Sequence, residues 1–172
     1  MTVHAREVLR DCQRLLDIIT ADMPTELWRP RWAGLVALLR AVGHVLDNVD
    51  GNKSDGSRKV IDSAWQELHQ SKPEPSIFWG FIEAERNNIL KAYVIGTGVN
   101  ITVRPGTARL NLGNGETSSG PSGPTTFEAF MRSGPFQGAD PIELCREAIA
   151  FWHRYLDAID QQVAAGQTGP VF

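Results

Sequence analysis

The sequence predicts a mainly α fold, a bundle of about five helices with a β-hairpin inserted before the last helix. Apolar residues recur at every third or fourth position before residue 95 and again after residue 140, which is the pattern of amphipathic helices. Between these segments, residues 96–138 hold nine of the sixteen glycines and four of the ten prolines, which disfavours helix there. With 172 residues, the chain is expected to form a single domain over its whole length, 1–172.

The first half of the chain is expected to contain four helices. The clearest apolar stripe belongs to the second of them, where large residues follow one another at steps of three or four: Trp28, Trp32, Leu35, Leu39, Val42 and Leu46. Prolines and glycines in polar surroundings end the helices at Pro24, between Gly51 and Gly56, and at Pro73. These limits give the four helices the ranges 3–20, 26–49, 58–70 and 77–94.

After residue 95, apolar residues alternate with polar ones, which is typical of β-strands. One such run lies at 99–103 and another at 110–112, with the turn-forming residues 105–107 between them. A β-hairpin is therefore predicted over 98–112. The glycine-, serine- and proline-rich residues 113–138 are expected to form a flexible loop.

The last helix is expected over 140–163. Asp140 is a typical N-cap, and Pro141 fits the first helical turn. Cys145 in this helix and Cys12 in the first helix both stand among apolar residues. We expect them to be buried core thiols and not a redox pair, because no C-x-x-C spacing or neighbouring histidine activates them.

The charge balance and the glycine patterns exclude several classes of function. Seventeen Lys and Arg against twenty Asp and Glu give a net charge of −3, so no strong basic field favours nonspecific nucleic-acid binding. No apolar run approaches the ~18 residues that a membrane span needs, and the charged start does not resemble a signal peptide. A cytoplasmic location without a membrane partner is therefore expected. The G-x-G pairs at 96–98 and 113–115 lack the context of a nucleotide-binding loop, and neither a cofactor nor a metal is expected.

A polar stripe on the helix 26–49 is the first candidate site. Arg40, His44 and Asp47 lie at i, i+4 and i+7 and therefore share one face. This face is either a solvated surface with charge pairing, or a site in which Arg40 binds an anion and Asp47 orients His44 for proton transfer. His44, Asp47 and Asp50 drift around the helix, so they form only a weak candidate for a metal site.

Glu85 is the most unusual residue of the helix 77–94, because it projects into the middle of that helix's apolar side. A carboxylate there is costly to bury unless it is paired and hydrogen-bonded. We expect either a cationic partner on another helix, for which Arg40 or His44 is the obvious candidate, or an open cleft in front of Glu85. The residue is then either an interhelical structural partner or a functional carboxylate.

The same helix carries a resemblance to a known family. Residues 86–93, Arg-Asn-Asn-Ile-Leu-Lys-Ala-Tyr, resemble the R-N-x-x-x-H-x-Y signature of the HEPN superfamily of small helical proteins. The resemblance implies a four- or five-helix bundle, often dimeric, that cleaves RNA without a metal in toxin–antitoxin, phage-defence and other mobile-element systems. It covers eight of the 172 residues.

Carried over by position, the resemblance assigns a role to four residues. Arg86 would stabilise the scissile phosphate, Asn87 would help to position it, and Tyr93 would support the site. Lys91 stands where the family has its histidine, and a lysine titrates at about 10.4, so it is a poor proton shuttle at neutral pH. Lys91 could hold a phosphate as a point charge, and weakened catalysis is expected.

Two functions of different class follow. The first is an RNA-directed HEPN-like protein of a bacterial defence or mobile-element type, a homodimer with Arg86, Asn87, Glu85 and His44 as catalytic residues and Arg40, Lys91 and Tyr93 as binding residues. The second is a non-enzymatic protein-interaction module that uses the hairpin and the 113–138 loop to hold a protein partner. A small-molecule enzyme that uses Glu85 with His44 is a third reading.

Overall fold

The structure, a computed structural model that describes residues 2–103, 107–111, 117–121 and 125–166, is a bundle of helices with a two-stranded antiparallel β-ribbon inserted before the last helix. This confirms the mainly α fold class predicted from the sequence. The helices are α1 (Val3–Leu16), α2 (Thr25–Val45), α3 (Asp55–Gln70), α4 (Ala84–Ala92) and α5 (Pro141–Ala165). None of the helices in the described part of the chain is long and apolar enough to cross a membrane.

Three helical segments depart from α-geometry and account for the differences in the second and fourth predicted helices, while α1 ends at Leu16, before the predicted end at residue 20. After α2 the chain continues through a π-helical turn, Leu46–Asp50, and a 3₁₀ turn, Gly51–Lys53, so helical structure runs past the predicted end at residue 49. The predicted helix 77–94 consists of a π-helical segment, Ile77–Glu83, followed directly by α4. The helix α3 begins three residues earlier than expected, because the Ser54 hydroxyl accepts the backbone N–H of Ser57 at 3.1 Å and caps it.

The core lies between α2 and the other helices, and its members are the residues on the predicted apolar stripes. Large side chains with almost no exposed surface fill it, namely Trp32, Trp152, Tyr155, Phe78, Phe81, Leu9, Leu35, Leu39, Leu46, Leu68, Ile82 and Leu156. Burial of each such side chain is worth about 1.5–3 kcal/mol. Cys12 and Cys145 are fully buried as well, and burial raises the pKa of Cys12 to about 12, so both are inert core thiols.

The β-ribbon has two ladders: β1 (Thr97–Val103) pairs with β4 (Thr125–Met131), and β2 (Thr107–Asn111) pairs with β3 (Thr117–Pro121). The two ladders share one register. Thr97 is opposite Met131 in the first ladder, and Thr107 is opposite Pro121 in the second. Moving ten residues from Thr97 to Thr107 thus moves the partner back by ten residues, and the two ladders are in register.

This pairing corrects two predictions. The predicted hairpin over 98–112 required β1 to pair with β2, and this is wrong, because β1 pairs with β4 and β2 pairs with β3. The prediction of a flexible loop over 113–138 is also wrong for the residues that form the strands β3 and β4. The turn residues at 105–107 suggested a tight hairpin, although residues 104–106 and the strand end at Leu112 lie outside the described residues. The alternation of Phe127, Ala129 and Met131 was the overlooked strand signal.

Candidate functional site

Glu85 is a buried anchor for the base of the β-ribbon. Glu85 is 3% exposed. Its Oε1 accepts two hydrogen bonds of 2.8 Å, one from the indole Nε1 of Trp32 and one from the backbone N–H of Gly96. Neither of the two expected surroundings of Glu85 is found. Arg40 and His44 are not its partners, since Oε1 accepts from an indole and a backbone amide, and at 3% exposure Glu85 does not face an open cleft. Glu85 therefore joins α4 to α2 and to the chain that enters β1.

A pair of tryptophans extends this anchor to the first ribbon strand. Trp28 and Trp32 stack with ring centroids 5.9 Å apart and planes 10° from parallel. Trp28 donates its indole N–H to the hydroxyl of Thr97 at 2.9 Å, so both indoles form hydrogen bonds at the base of the ribbon. At position 96 a Cβ atom would lie 2.3 Å from Oε2 of Glu85, which requires glycine there.

Arg40 pairs with Glu83, two residues before the carboxylate that the sequence singled out. The Nε of Arg40 donates to Oε2 of Glu83 at 2.7 Å. In the π-helical segment Ile77–Glu83, hydrogen bonds run from residue i to i+5, so the angular spacing of an α-helix does not hold there. For this reason the side-chain directions derived from α-helical spacing missed Glu83.

The Arg40 guanidinium is held between a carboxylate and two aromatic rings. Its Cζ lies 5.4 Å from the ring centroid of Trp65 and 5.7 Å from that of Phe78, which is cation–π geometry. Burial of Glu83 acts to raise its pKa, but the hydrogen bonds from Arg40 and Asn87 outweigh burial, and the net pKa is lowered.

Arg86 and Asn87 continue the polar contacts away from Arg40. Nδ2 of Asn87 donates to Oε1 of Glu83 at 3.5 Å, and Nη1 of Arg86 donates to Oδ1 of Asn87 at 2.9 Å. His44 is exposed beside them, and its pKa is lowered by partial burial and by the positive charges of Arg40 and Arg86. We call Arg40, His44, Glu83, Arg86 and Asn87 the arginine network.

Lys91 and Tyr93 lie outside the arginine network. The helix α4 is unbroken from Ala84 to Ala92, so Arg86 and Lys91 project about 140° apart. Lys91 is exposed. Tyr93 ends the helix in a left-handed conformation with φ of 51°, and the guanidinium of Arg29 lies 5.1 Å from its ring centroid. The motif residues therefore do not converge within one chain.

Asp47 and Asp50 also have other partners than those expected. Asp47 binds the guanidinium of Arg58 and does not orient His44. Asp50 is 1% exposed and accepts the backbone N–H groups of His4 at 3.3 Å and Ala5 at 2.8 Å, so it caps the start of α1. Among the residues that the structure describes, no three His, Cys, Asp or Glu side chains are grouped so that they could hold a metal ion.

An open cleft of about 580 Å³ lies beside β1, and no residue of the arginine network lines it. We call it the ribbon cleft, and it is lined by Met23, Thr25, Trp28, Arg29, Val94, Ile95, Thr97, Gly98, Val99, Ile101 and Arg132. The hairpin and the 113–138 loop were predicted as binding elements, but Arg29, and Arg132 within that loop, were not singled out. The cleft forms between segments distant in sequence, so no local pattern signals it.

One face of the ribbon above this cleft is apolar and exposed. Residues directly opposite in an antiparallel ladder point to the same face, which places Val99 beside Ala129 and Ile101 beside Phe127. The exposed fractions are 40% for Val99, 62% for Ile101 and 38% for Phe127. We call these four residues the ribbon face. It continues outward from Met131, which is buried in the core.

Comparisons of the chain with protein-family models, with curated proteins and with solved structures find no match. The class that the fold and the site define is a helical bundle carrying a β-ribbon with an apolar face and an adjoining cleft. The resemblance of residues 86–93 to the HEPN signature stays a prediction.

Proposed function

We propose that this chain is a protein-interaction module that binds an extended segment of another protein along the ribbon face. The exposure of Ile101, Val99 and Phe127 on one side of the ribbon carries the proposal, because neighbouring apolar side chains left in water favour association. The binding surface lies within the two segments expected from the sequence, 98–112 and 113–138, but it is formed by the pairing of β1 with β4.

The backbone of β1 supports the same function. In the described part of the chain β1 pairs with β4 alone, so its other edge keeps unpaired N–H and C=O groups. An extended segment can add to such an edge as a third strand, with its alternate side chains packed on the ribbon face. The stacked indoles and Glu85 hold the base of β1 in place, which reduces the ordering cost of binding.

A selection from a library of random 12-residue peptides, displayed as internal segments, tests this function. Enriched peptides are synthesised, and their affinities for the full chain are measured by fluorescence anisotropy. Ile101→Asp should weaken binding at least tenfold, because a charge then faces the apolar segment. Thr102→Asp, one residue away on the opposite ribbon face, is the matched control and should retain affinity.

Two results would overturn the proposal. One is an absence of peptides enriched over a support without the protein. The other is equal affinity of the wild type and Ile101→Asp. Sedimentation velocity of both proteins distinguishes a third outcome. If Ile101→Asp converts a dimer to a monomer and peptides do not compete, the ribbon face binds a second copy, and the proposed partner is wrong.

A second candidate is an RNA-directed activity of the arginine network, as the HEPN resemblance implies for a bacterial defence protein in the cytoplasm. The exposed His44 beside Arg86 favours it, because a lowered pKa keeps this imidazole neutral at pH 7 and able to accept a proton. Arg86 would hold the phosphate, and a homodimer would bring two such networks together. Neither candidate calls for a cofactor.

An RNA cleavage and binding assay separates this candidate from the first. Single-stranded RNA is incubated with the wild type and with Arg86→Ala, and Lys59→Ala, at an exposed position of α3, serves as the control. Arg86→Ala should lose at least tenfold in cleavage and in affinity, whereas Lys59→Ala should lose little. Inactive wild type, or equal activity of wild type and Arg86→Ala, contradicts the candidate.

A further inference from the structure

We propose that the segment bound by the ribbon carries an acidic side chain, and that Arg29 and Arg132 bind this carboxylate in the ribbon cleft. This inference rests on the proposed function and names the chemistry of the partner. The occupant is an internal stretch of another protein in extended conformation, with apolar residues on the ribbon face and one Asp or Glu near the base of β1.

The shape of the cleft fits an extended segment. One wall is the part of β1 from Thr97 to Ile101, and the opposite wall is the start of α2 with Val94 and Ile95. Binding clefts for small ligands measure roughly 300–1,000 Å³, so about 580 Å³ accommodates several residues of a strand. Trp28 contributes an apolar wall that is itself buried and hydrogen-bonded to Thr97.

Among the described residues, the lining of the cleft has two positive charges and no negative one. Arg29 and Arg132 line it, and no Asp or Glu is among its lining residues. Neither arginine forms an ion pair with a carboxylate in the part of the chain that the structure describes. By contrast, Arg6, Arg40 and Arg58 each bind one or more carboxylates of this chain. Two unpaired guanidinium groups beside apolar walls therefore favour a carboxylate ligand.

Both arginines are exposed; the guanidinium of Arg29 has an aromatic neighbour, and the backbone of Arg132 is fixed at the end of β4. The guanidinium of Arg29 lies over the ring of Tyr93, which is the residue that ends α4 in a left-handed backbone conformation. The backbone N–H of Arg132 donates to the carbonyl of Gly96 at 2.7 Å, and its Nε would lie 3.1 Å from a Cβ atom at Gly98. The absent side chain of Gly98 leaves room for Arg132 against β1. The ring contact of Arg29 and the fixed backbone of Arg132 lower the entropic cost of ordering these two side chains around a carboxylate.

The apolar and cationic walls of the cleft together favour a peptide that carries both apolar and acidic side chains. A segment added along the edge of β1 places every second side chain toward the ribbon face. Val99 and Ile101 then contact its apolar residues, while a residue near Thr97 lies in the part of the cleft that Arg29 and Arg132 line. A purely apolar segment would leave both guanidinium groups without a partner in a partly desolvated cleft, which is unfavourable.

The experiment uses the peptides enriched by the full chain, synthesised with acetylated and amidated ends so that side chains supply the only carboxylates. For each peptide the acidic residue is replaced by its amide, Glu to Gln or Asp to Asn. Affinities are measured for the wild type, Arg29→Gln, Arg132→Gln and the double variant. Arg154→Gln, an exposed arginine of α5 that does not line the cleft, is the control.

We expect the amide peptide to bind the wild type at least tenfold more weakly than the acidic peptide. The double arginine variant should bind both peptides equally, and Arg154→Gln should behave as the wild type. If the double variant keeps full preference for the acidic peptide while Ile101→Asp abolishes binding, the ribbon function stands and the arginine inference is wrong. If peptides bind only with an uncapped C-terminus, the inferred internal acidic residue is also wrong.

Failure of the proposed function has a different signature. In that case Ile101→Asp and the arginine variants all bind as the wild type does, or no peptide is enriched, and both proposals fall together. Circular dichroism of each variant confirms that the helices are retained, so a loss of affinity reports the contact and not unfolding.

Discussion

Trp32 donates its indole N–H to the carboxylate of Glu85 over 2.8 Å in the core of the bundle. The same carboxylate oxygen accepts the N–H of Gly96, immediately before β1. A residue that patterning marked as a candidate for catalysis is thus the point where the ribbon is fastened to the helices. Its burial and its partners favour a structural role for Glu85, which is to hold the base of the ribbon and so to position the ribbon face.

Glu85→Ala should destabilise the protein by about 3 kcal/mol. The substitution leaves the buried N–H groups of Trp32 and Gly96 without an acceptor, and each such group costs about 1–3 kcal/mol. Urea unfolding followed by circular dichroism measures the loss. Glu128→Ala, at an exposed position of β4, is the matched control and should change the free energy of unfolding by less than about 0.5 kcal/mol. Equal stability of the two variants would contradict the anchoring role.

Gly96→Ala should be strongly destabilising, by about 2 kcal/mol or more, because its Cβ would overlap Oε2 of Glu85. The matched control is Gly56→Ala in the first turn of α3, where the nearest atom is the Ser54 hydroxyl oxygen at 3.9 Å. Alanine favours helix over glycine by about 0.5–1 kcal/mol, so the control should be neutral or more stable. Thermal unfolding of both variants gives the comparison. Similar melting temperatures would show that the Glu85 side chain moves aside without a loss of stability.

Asp50 should make the stability of α1 depend on pH. Burial acts to raise its pKa, but hydrogen bonds from Lys53, Ala5 and His4 outweigh burial, and its net pKa is lowered. A lowered native pKa means that the stabilisation is complete above the unfolded value of about 3.9 and is lost as pH falls through the native value.

Asp50→Asn should therefore be less stable than the wild type by about 2 kcal/mol at pH 7, and the difference should shrink below about pH 4. Urea unfolding at several pH values measures this. Asp11→Asn removes an exposed ion pair to Arg14 and should matter little at any pH. A difference for Asp50→Asn that stays constant down to pH 2.5 is the opposing result.

Arg86→Ala should raise the pKa of His44 toward its ordinary value of about 6.5, because one of the positive charges that lower it is removed. Partial burial and Arg40 remain, so the rise should be incomplete. The titration of the His44 ring by NMR measures it, with Lys91→Ala as the control. An unchanged His44 titration in Arg86→Ala would place Arg86 away from His44 in solution.

Periodicity predicted the helices well because their apolar stripes follow from local sequence. Trp28, Trp32 and Leu39 are all buried where their spacing placed them. The capping of α1 by Asp50 was not predictable in this way, since donor and acceptor are joined only by the packing of two helices. The choice of Glu83 over Glu85 as the partner of Arg40 depended on the π-helical turns, which α-helical spacing does not reveal.

The ribbon was predicted to exist but with the wrong pairing. Strand alternation identifies strands and does not say which strand pairs with which, so the turn residues at 105–107 decided the prediction. The distant partner of β1 requires a chain reversal beyond Asn111 that the glycine-rich sequence also allowed. The ribbon cleft depends on that pairing, and Arg29 and Arg132 therefore became visible only in three dimensions.

The common register of the two ladders determines which insertions can lengthen the β-ribbon without changing the side to which its side chains point. A single residue inserted into one arm would turn every later side chain to the other side and break the apolar stripe opposite Ile101. Insertions of two residues in both arms keep each side chain on its side, and each lengthens the projection by about 7 Å. The protein thus carries an arm whose reach can be adjusted in fixed increments, while the bundle to which it is attached stays unchanged.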